Sequence, residues 1–165
     1  MLFDVQEILK KDGGRIQLNI KLIPPAEFQM DDVIFGQGVS VSGELENVGG
    51  VLELKASVQG SFTVPCGRCM KITEQRFSLL VQETLANEHA EVANRDVVIP
   101  FTGTSIDLGG IIWPEIFLAL DTKYLCSPDC KGLCMHCGAD LNQVSCDCKE
   151  DDIDPRMAGL AKLLQ

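Results

Sequence analysis

Eight cysteines stand in two places along the chain. Cys66 and Cys69 form the segment CGRC, and six more crowd into 126–148 as CSPDCKGLCMHCGADLNQVSCDC. The six are Cys126, Cys130, Cys134, Cys137, Cys146 and Cys148. Such crowding points to a shared chemical task, and the compartment decides which task. The first ten residues, MLFDVQEILK, carry Asp4 and Glu7 and lack the basic start and apolar stretch of a signal peptide. No apolar run approaches the ~20 residues a transmembrane helix needs, so no membrane contact is expected. The expected location is cytoplasmic, where thiols stay reduced and structural disulfides are rare.

Metal binding is the chemistry that fits. Zinc takes four thiolates in a tetrahedron about 2.3 Å from each sulfur, and a Cys-x-x-Cys turn aims two sulfurs at one ion. Eight thiolates divide into two closed sites with none left over. Spacing favours Cys134, Cys137, Cys146 and Cys148 as one self-contained loop, with Gly138 supplying a left-handed residue after its knuckle. Cys126 and Cys130 would then join Cys66 and Cys69. The other division groups Cys126, Cys130, Cys134 and Cys137, leaving Cys66, Cys69, Cys146 and Cys148. A redox dithiol at CGRC is disfavoured, because such motifs open a helix whereas strand patterns flank this one. A catalytic zinc would need an open coordination position that four thiolates do not leave. An iron–sulfur cluster also takes four cysteines, and counting does not separate it from zinc.

Composition narrows the partners. The 165 residues are 45% hydrophobic and 23% charged, as in a soluble globular protein. Lys and Arg number 14 against 24 Asp and Glu, a formal net charge of −10. That sign opposes non-specific attraction to nucleic acid or anionic lipid. Aromatic content of 5% is too low for an extended base-stacking platform. Eight thiolates and two zinc ions would shift the charge to about −14. Arg68, Lys71, Lys123 and Lys131 all lie near cysteines. Either they offset the thiolate charge, or they form a small basic face for docking on RNA or an acidic protein. His136 reads as a spacer within the knuckle and His89 as part of a polar loop. No Ser-His-Asp, phosphate-loop or dinucleotide signature is present, so neither catalysis nor a small-molecule substrate is expected.

The remaining chain reads as α+β: an antiparallel β meander or open barrel, an apolar helix, a Cys-rich zinc-binding loop and a short C-terminal helix. Residues 4–10 suit a short helix with Val5, Ile8 and Leu9 on one side. Residues 15–22 alternate as a strand that Pro24 and Pro25 end. Val39, Val41 and Leu45 form a second strand, with Gly49-Gly50 as a hairpin turn. Leu52, Leu54, Ala56, Val58, Phe62 and Val64 hold one face of a long strand, in which Gly60 predicts a bulge or bend. Phe77, Leu79 and Val81 continue the meander. Residues 84–95 read as a polar loop, and 97–99 as a short edge strand. Asp107 opens a helical stretch carrying Leu108, Ile111, Ile112, Ile116, Phe117 and Leu120. Pro114 predicts either a kink or a later helix start. The acidic run 149–154 reads as a linker into a helix with Asp154 as N-cap, Pro155 in its first turn, and Met157, Leu160, Ala161 and Leu164 on its apolar face. One domain over 1–165 is expected, its zinc module at 126–148 joined by the knuckle at 66–69.

The combination of CGRC, the downstream CSPDCKGLCMHCGADLN…CDC, a helix ending Leu118-Ala119-Leu120 and a terminal DPRMAGLAKLL resembles the YceD family over nearly the whole chain. Asp121 stands where relatives commonly carry proline. The resemblance implies a role in accumulation of large-subunit ribosomal RNA and hence in large-subunit assembly, with no catalytic residues. An assembly intermediate, a ribosomal protein and rRNA are the implied partners. The acidic body favours a basic ribosomal protein, and the residues near the cysteines any RNA contact. The competing reading is a thiol-based redox sensor or redox-regulated chaperone that releases zinc on oxidation.

Overall fold

The computed structural model describes residues 2–26, 32–90 and 97–148. Strand β1 (Leu2–Asp4) leads into a single helical turn, α1 (Gln6–Leu9). The meander follows as β2 (Arg15–Leu22), β3 (Val39–Val48), β4 (Val51–Pro65) and β5 (Ile72–Asn87). After it come β6 (Ile99–Phe101), β7 (Ser105–Asp107) and helix α2 (Leu108–Ala119). The main sheet has the order β2-β3-β4-β5-β6, while β1 and β7 pair separately. No described helix is long and apolar enough to cross a membrane.

Alternation decides which face is buried. Val39, Val41, Leu45, Leu52, Leu54, Ala56, Val58, Phe62 and Val64 all turn into the core. Gly49 and Gly50 join β3 to β4 with φ of 61° and 93°, both in the left-handed region that a tight two-residue hairpin requires. Helix α2 covers this face with Leu108, Ile111, Ile112, Trp113 and Ile116. Asp107 caps it, its carboxylate accepting from the Gly109 amide at 3.1 Å. The helix continues through Pro114 and ends at Ala119, with Leu120 extended. Asn47 is a polar side chain buried in this core. It donates to the Ile8 carbonyl at 2.7 Å and accepts from the Gly50 amide at 2.9 Å, tying α1 to the hairpin turn.

Several expectations change. The sheet stays open, with β2 and β6 as separate edges. Gly60 makes no bulge: pairing runs residue for residue through Val39↔Gly60 and Gly60↔Phe77. The glycine instead leaves room, since a Cβ there would lie 2.9 Å from Val39 Cγ1 and 3.0 Å from Phe77 Cε1. Residues 84–87 belong to β5, with Leu85 and Ala86 buried. The edge strand expected over 97–99 starts at Ile99 and pairs parallel to β5, and Pro100 is tolerated because an edge strand needs one ladder only. The acidic run 149–154 and the C-terminal helix lie outside the described residues.

Candidate metal centres

CGRC forms the tip of the β4–β5 hairpin. The Cys66 amide donates to the Lys71 carbonyl at 2.8 Å, and the Met70 amide donates back to the Cys66 carbonyl at 3.0 Å. The same turn recurs at the second Cys-x-x-Cys. There the Cys134 amide donates to Ala139 at 2.8 Å and the Gly138 amide donates to Cys134 at 2.9 Å. Both turns close with a left-handed residue directly after the second cysteine, Met70 at φ 61° and Gly138 at φ 72°. The glycine expectation holds at Gly138; at Met70 a side chain takes the same strained conformation.

The two turns gather two sets of sulfurs. Cys66, Cys69, Cys126 and Cys130 form one, and Cys134, Cys137, Cys146 and Cys148 the other, with the ligand atoms of each set within 4.8 Å of one another. This is the division that spacing favours. A tetrahedron with 2.3 Å bonds places its sulfurs about 3.8 Å apart. Cys66 Sγ lies 3.8 Å from Cys130 Sγ, and Cys69 Sγ lies 3.5 Å from Cys126 Sγ. The donor sets therefore suit a four-coordinate metal ion, and all eight cysteines are free of disulfides. The first centre is the deeper: Cys66 and Cys130 are buried, whereas Cys137 and Cys148 of the second are exposed.

In each set one thiol is held well below its ordinary range, Cys66 in the first and Cys134 in the second. Burial pushes the Cys66 thiol up, but the backbone amides of Arg68, Cys126 and Cys69 outweigh it and lower it to about 6. The amides of Cys137 and His136, helped by the Cys146 thiol, lower Cys134 to about 6. Crowding by neighbouring thiols drives the opposite change. Cys130 and Cys69 push Cys126 up to about 12, and Cys137 and Cys134 push Cys148 up to about 12. Uncompensated thiolates repel at these distances, which is why the sets call for a cation.

A hydrogen-bonded frame joins the centres. The Leu133 amide donates to the Arg68 carbonyl at 3.0 Å, and the Gly67 amide to the Tyr124 carbonyl at 2.8 Å. Arg68, Lys71, Lys123 and Lys131 are all exposed around the first centre. The Arg68 guanidinium donates from Nη1 to the Cys130 carbonyl at 2.7 Å, so it braces the ligand loop. Lys123 lies along Gly67, where a Cβ would meet its Cγ at 3.2 Å. His136 and His89 are exposed.

Sequence reasoning missed Asp140 and Asn142. Asn142 Oδ1 accepts from the Lys131 amide at 2.8 Å, and its Nδ2 reaches Cys130 Sγ at 3.5 Å and Asp140 Oδ1 at 2.7 Å. The Asp-x-Asn spacing of an Asx turn was the available signal. Tyr124 was also missed; its hydroxyl accepts from the Asp121 amide at 2.8 Å just ahead of the first ligand.

Comparison with known proteins places this frame in a lineage. A protein of Mycobacterium tuberculosis (strain ATCC 25618 / H37Rv), itself uncharacterised, is 26% identical over 169 residues, covering 99% of this chain and 81% of that one. YlbN of Bacillus subtilis, also uncharacterised, is 27% identical over 128 residues, 77% of this chain and 74% of its own. The Zea mays protein named large ribosomal RNA subunit accumulation protein YCED homolog 1, chloroplastic, is 28% identical over 146 residues, 70% of this chain and 50% of its own. No solved structure matches. The family model described as large ribosomal RNA subunit accumulation protein YceD matches residues 54–164, a span that includes both cysteine turns and every ligand candidate. With more than half its length matched, the chain belongs to the YceD family.

Proposed function

We propose that this protein is a zinc-bound, non-catalytic cytoplasmic factor supporting accumulation of large-subunit ribosomal RNA and assembly of the large ribosomal subunit. The observation that carries this reading is the family match, reinforced by the name of the maize chloroplastic relative. Zinc is favoured over an iron–sulfur cluster by the paired Cys-x-x-Cys turns, each ending in a left-handed residue, the knuckle form of structural zinc sites. Closed by four thiolates, each ion would supply a rigid crosslink and leave no position for a reacting water. The partners in this reading are an assembly intermediate of the large subunit, a ribosomal protein, and rRNA near the first centre.

The test is genetic and biochemical together. A depletion strain is complemented with the wild-type chain or with Lys71→Glu, Lys123→Glu and Lys131→Glu combined. Arg68 is left alone because it braces the Cys130 loop. The triple variant should keep its metal and fold yet lower large-subunit RNA and mature large subunits. Normal large-to-small subunit ratios and normal precursor processing on depletion would defeat the assembly reading and favour a redox role.

A further inference from the structure

Among the described residues, strand β5 is paired along nearly its whole length on one side and almost bare on the other. On one side it pairs with β4 from Val51↔Ala86 to Pro65↔Ile72. On the other, β6 covers Leu85, Ala86 and Asn87 only. Among the described residues no strand or bridge pairs with that side of 72–84. Alternate backbone amides and carbonyls there face outward and can accept one more strand. The opposite edge, β2, exposes Arg15, Gln17, Asn19 and Lys21 with no large apolar side chain among them, whereas the exposed face of β5 carries Ile72 and Leu80 beside Glu74 and Arg76.

The two faces beside the open side of β5 ask for different side chains. On the face away from the core, Ile72 and Leu80 are 63% and 77% exposed. On the face toward α2, Glu83 stands between Val81 and Leu85, close enough to Glu115 of α2 for the two carboxylates to repel. Burial first, and then Glu115, hold the Glu83 carboxyl above its usual range. Neither carboxylate forms an ion pair among the described residues. The chain as a whole carries −10.

We propose that the open side of β5 receives an extended, Lys- or Arg-rich protein segment, which adds to the sheet as a further strand. Its alternating side chains lie against Ile72 and Leu80 on one face and bring a cation to Glu83 and Glu115 on the other. Main-chain hydrogen bonds supply the affinity and the alternation supplies the specificity. This deepens the assembly reading by naming the partner chemistry, and it rests on that reading only for the biological source of the segment.

The test uses the metal-loaded full chain and a synthetic peptide of about ten residues alternating Val and Lys, near the usual upper length of a strand. Binding is followed by fluorescence anisotropy and by hydrogen exchange. The peptide should bind and slow amide exchange within 72–84. A Val/Glu peptide should bind about tenfold more weakly or less, and Glu83→Gln with Glu115→Gln should weaken the Val/Lys peptide about fivefold without loss of fold. Protection at 15–22 instead, or equal binding of the acidic peptide, would overturn the proposal. So would prior protection of the alternate 72–84 amides that point away from β4, which would mean that other residues of the chain or a second copy cover the edge. Protection of 72–84 by a single-stranded RNA oligonucleotide but not by the peptide would also overturn it. Failure here would leave zinc content and the depletion phenotype unchanged, so it is distinguishable from failure of the assembly reading.

Discussion

Asn142 belongs to the loop of the second centre but serves the first. Its amide reaches Cys130 Sγ and its carbonyl holds the Lys131 backbone, so it orients a ligand it does not itself supply. Groups that orient a ligand in this way typically change metal affinity about tenfold or more when removed. Asn142→Ala should therefore lower affinity at the first centre by about tenfold and leave the second nearly unchanged, as read by chelator competition. Equal retention at both centres would contradict this. Protons compete for the same sulfurs. Because Cys66 and Cys134 ionise at about 6 while Cys126 and Cys148 are pushed up to about 12, loading metal must displace protons from the harder thiols. Metal affinity should rise with pH and fall as pH drops, most steeply once Cys66 and Cys134 also protonate near 6. Metal release into a colorimetric chelator, followed from pH 8 to 4, checks the sign.

Strands show how tightly the meander is fitted around its glycines. A Cβ at Gly60 would meet the far ends of Val39 and Phe77, which can shift, whereas one at Gly43 would run into the Lys55 carbonyl and the Ala56 backbone, which cannot. Gly60→Ala should cost about 1–3 kcal/mol and Gly43→Ala more, measured by urea denaturation of the metal-loaded protein. The reverse order would mean that the β3–β4 ladder yields more easily than its pairing suggests. These strands were largely legible in the sequence because a half-buried strand writes its burial as alternation, as at Ile16, Leu18, Ile20 and Leu22. Their ends were not. Thr84 and Asn87 look like loop residues, yet they continue β5 because Leu85 and Ala86 are buried between them. Phe35 lies in no periodic segment, but Ile34 bridges to Thr63 and turns Phe35 into the core. Of the candidate site, the cysteine division could be read from spacing. The contacts of Asn142 and Arg68 could not, because they join segments whose approach only the fold determines.

At the scale of the molecule, an aromatic column carries the core to the first metal centre. Trp113 meets Phe35 at 5.2 Å, Phe35 meets Phe62 at 5.5 Å, and Phe62 meets Tyr124 at 5.3 Å between ring centroids. The Tyr124 carbonyl then accepts from Gly67 in the hairpin tip. A metal held by Cys66, Cys69, Cys126 and Cys130 would close a long loop of chain, whereas the second centre closes only a local one. Replacing Cys66 and Cys69 by serine should consequently destabilise the whole fold more than replacing Cys134 and Cys137, which should remove one metal and leave the sheet intact. Thermal unfolding followed alongside metal content compares the two, and equal damage with both metals lost would contradict independent centres. Two sulfur-only zinc sites in one chain are central to the non-catalytic reading, so the most direct measurement is elemental analysis of reduced, unchelated protein together with sulfur-sensitive absorption spectroscopy of the metal. Two zinc ions per chain, each bound by four sulfurs, are expected; one ion or none, or iron with visible charge-transfer absorption, would rule out two closed four-thiolate zinc sites.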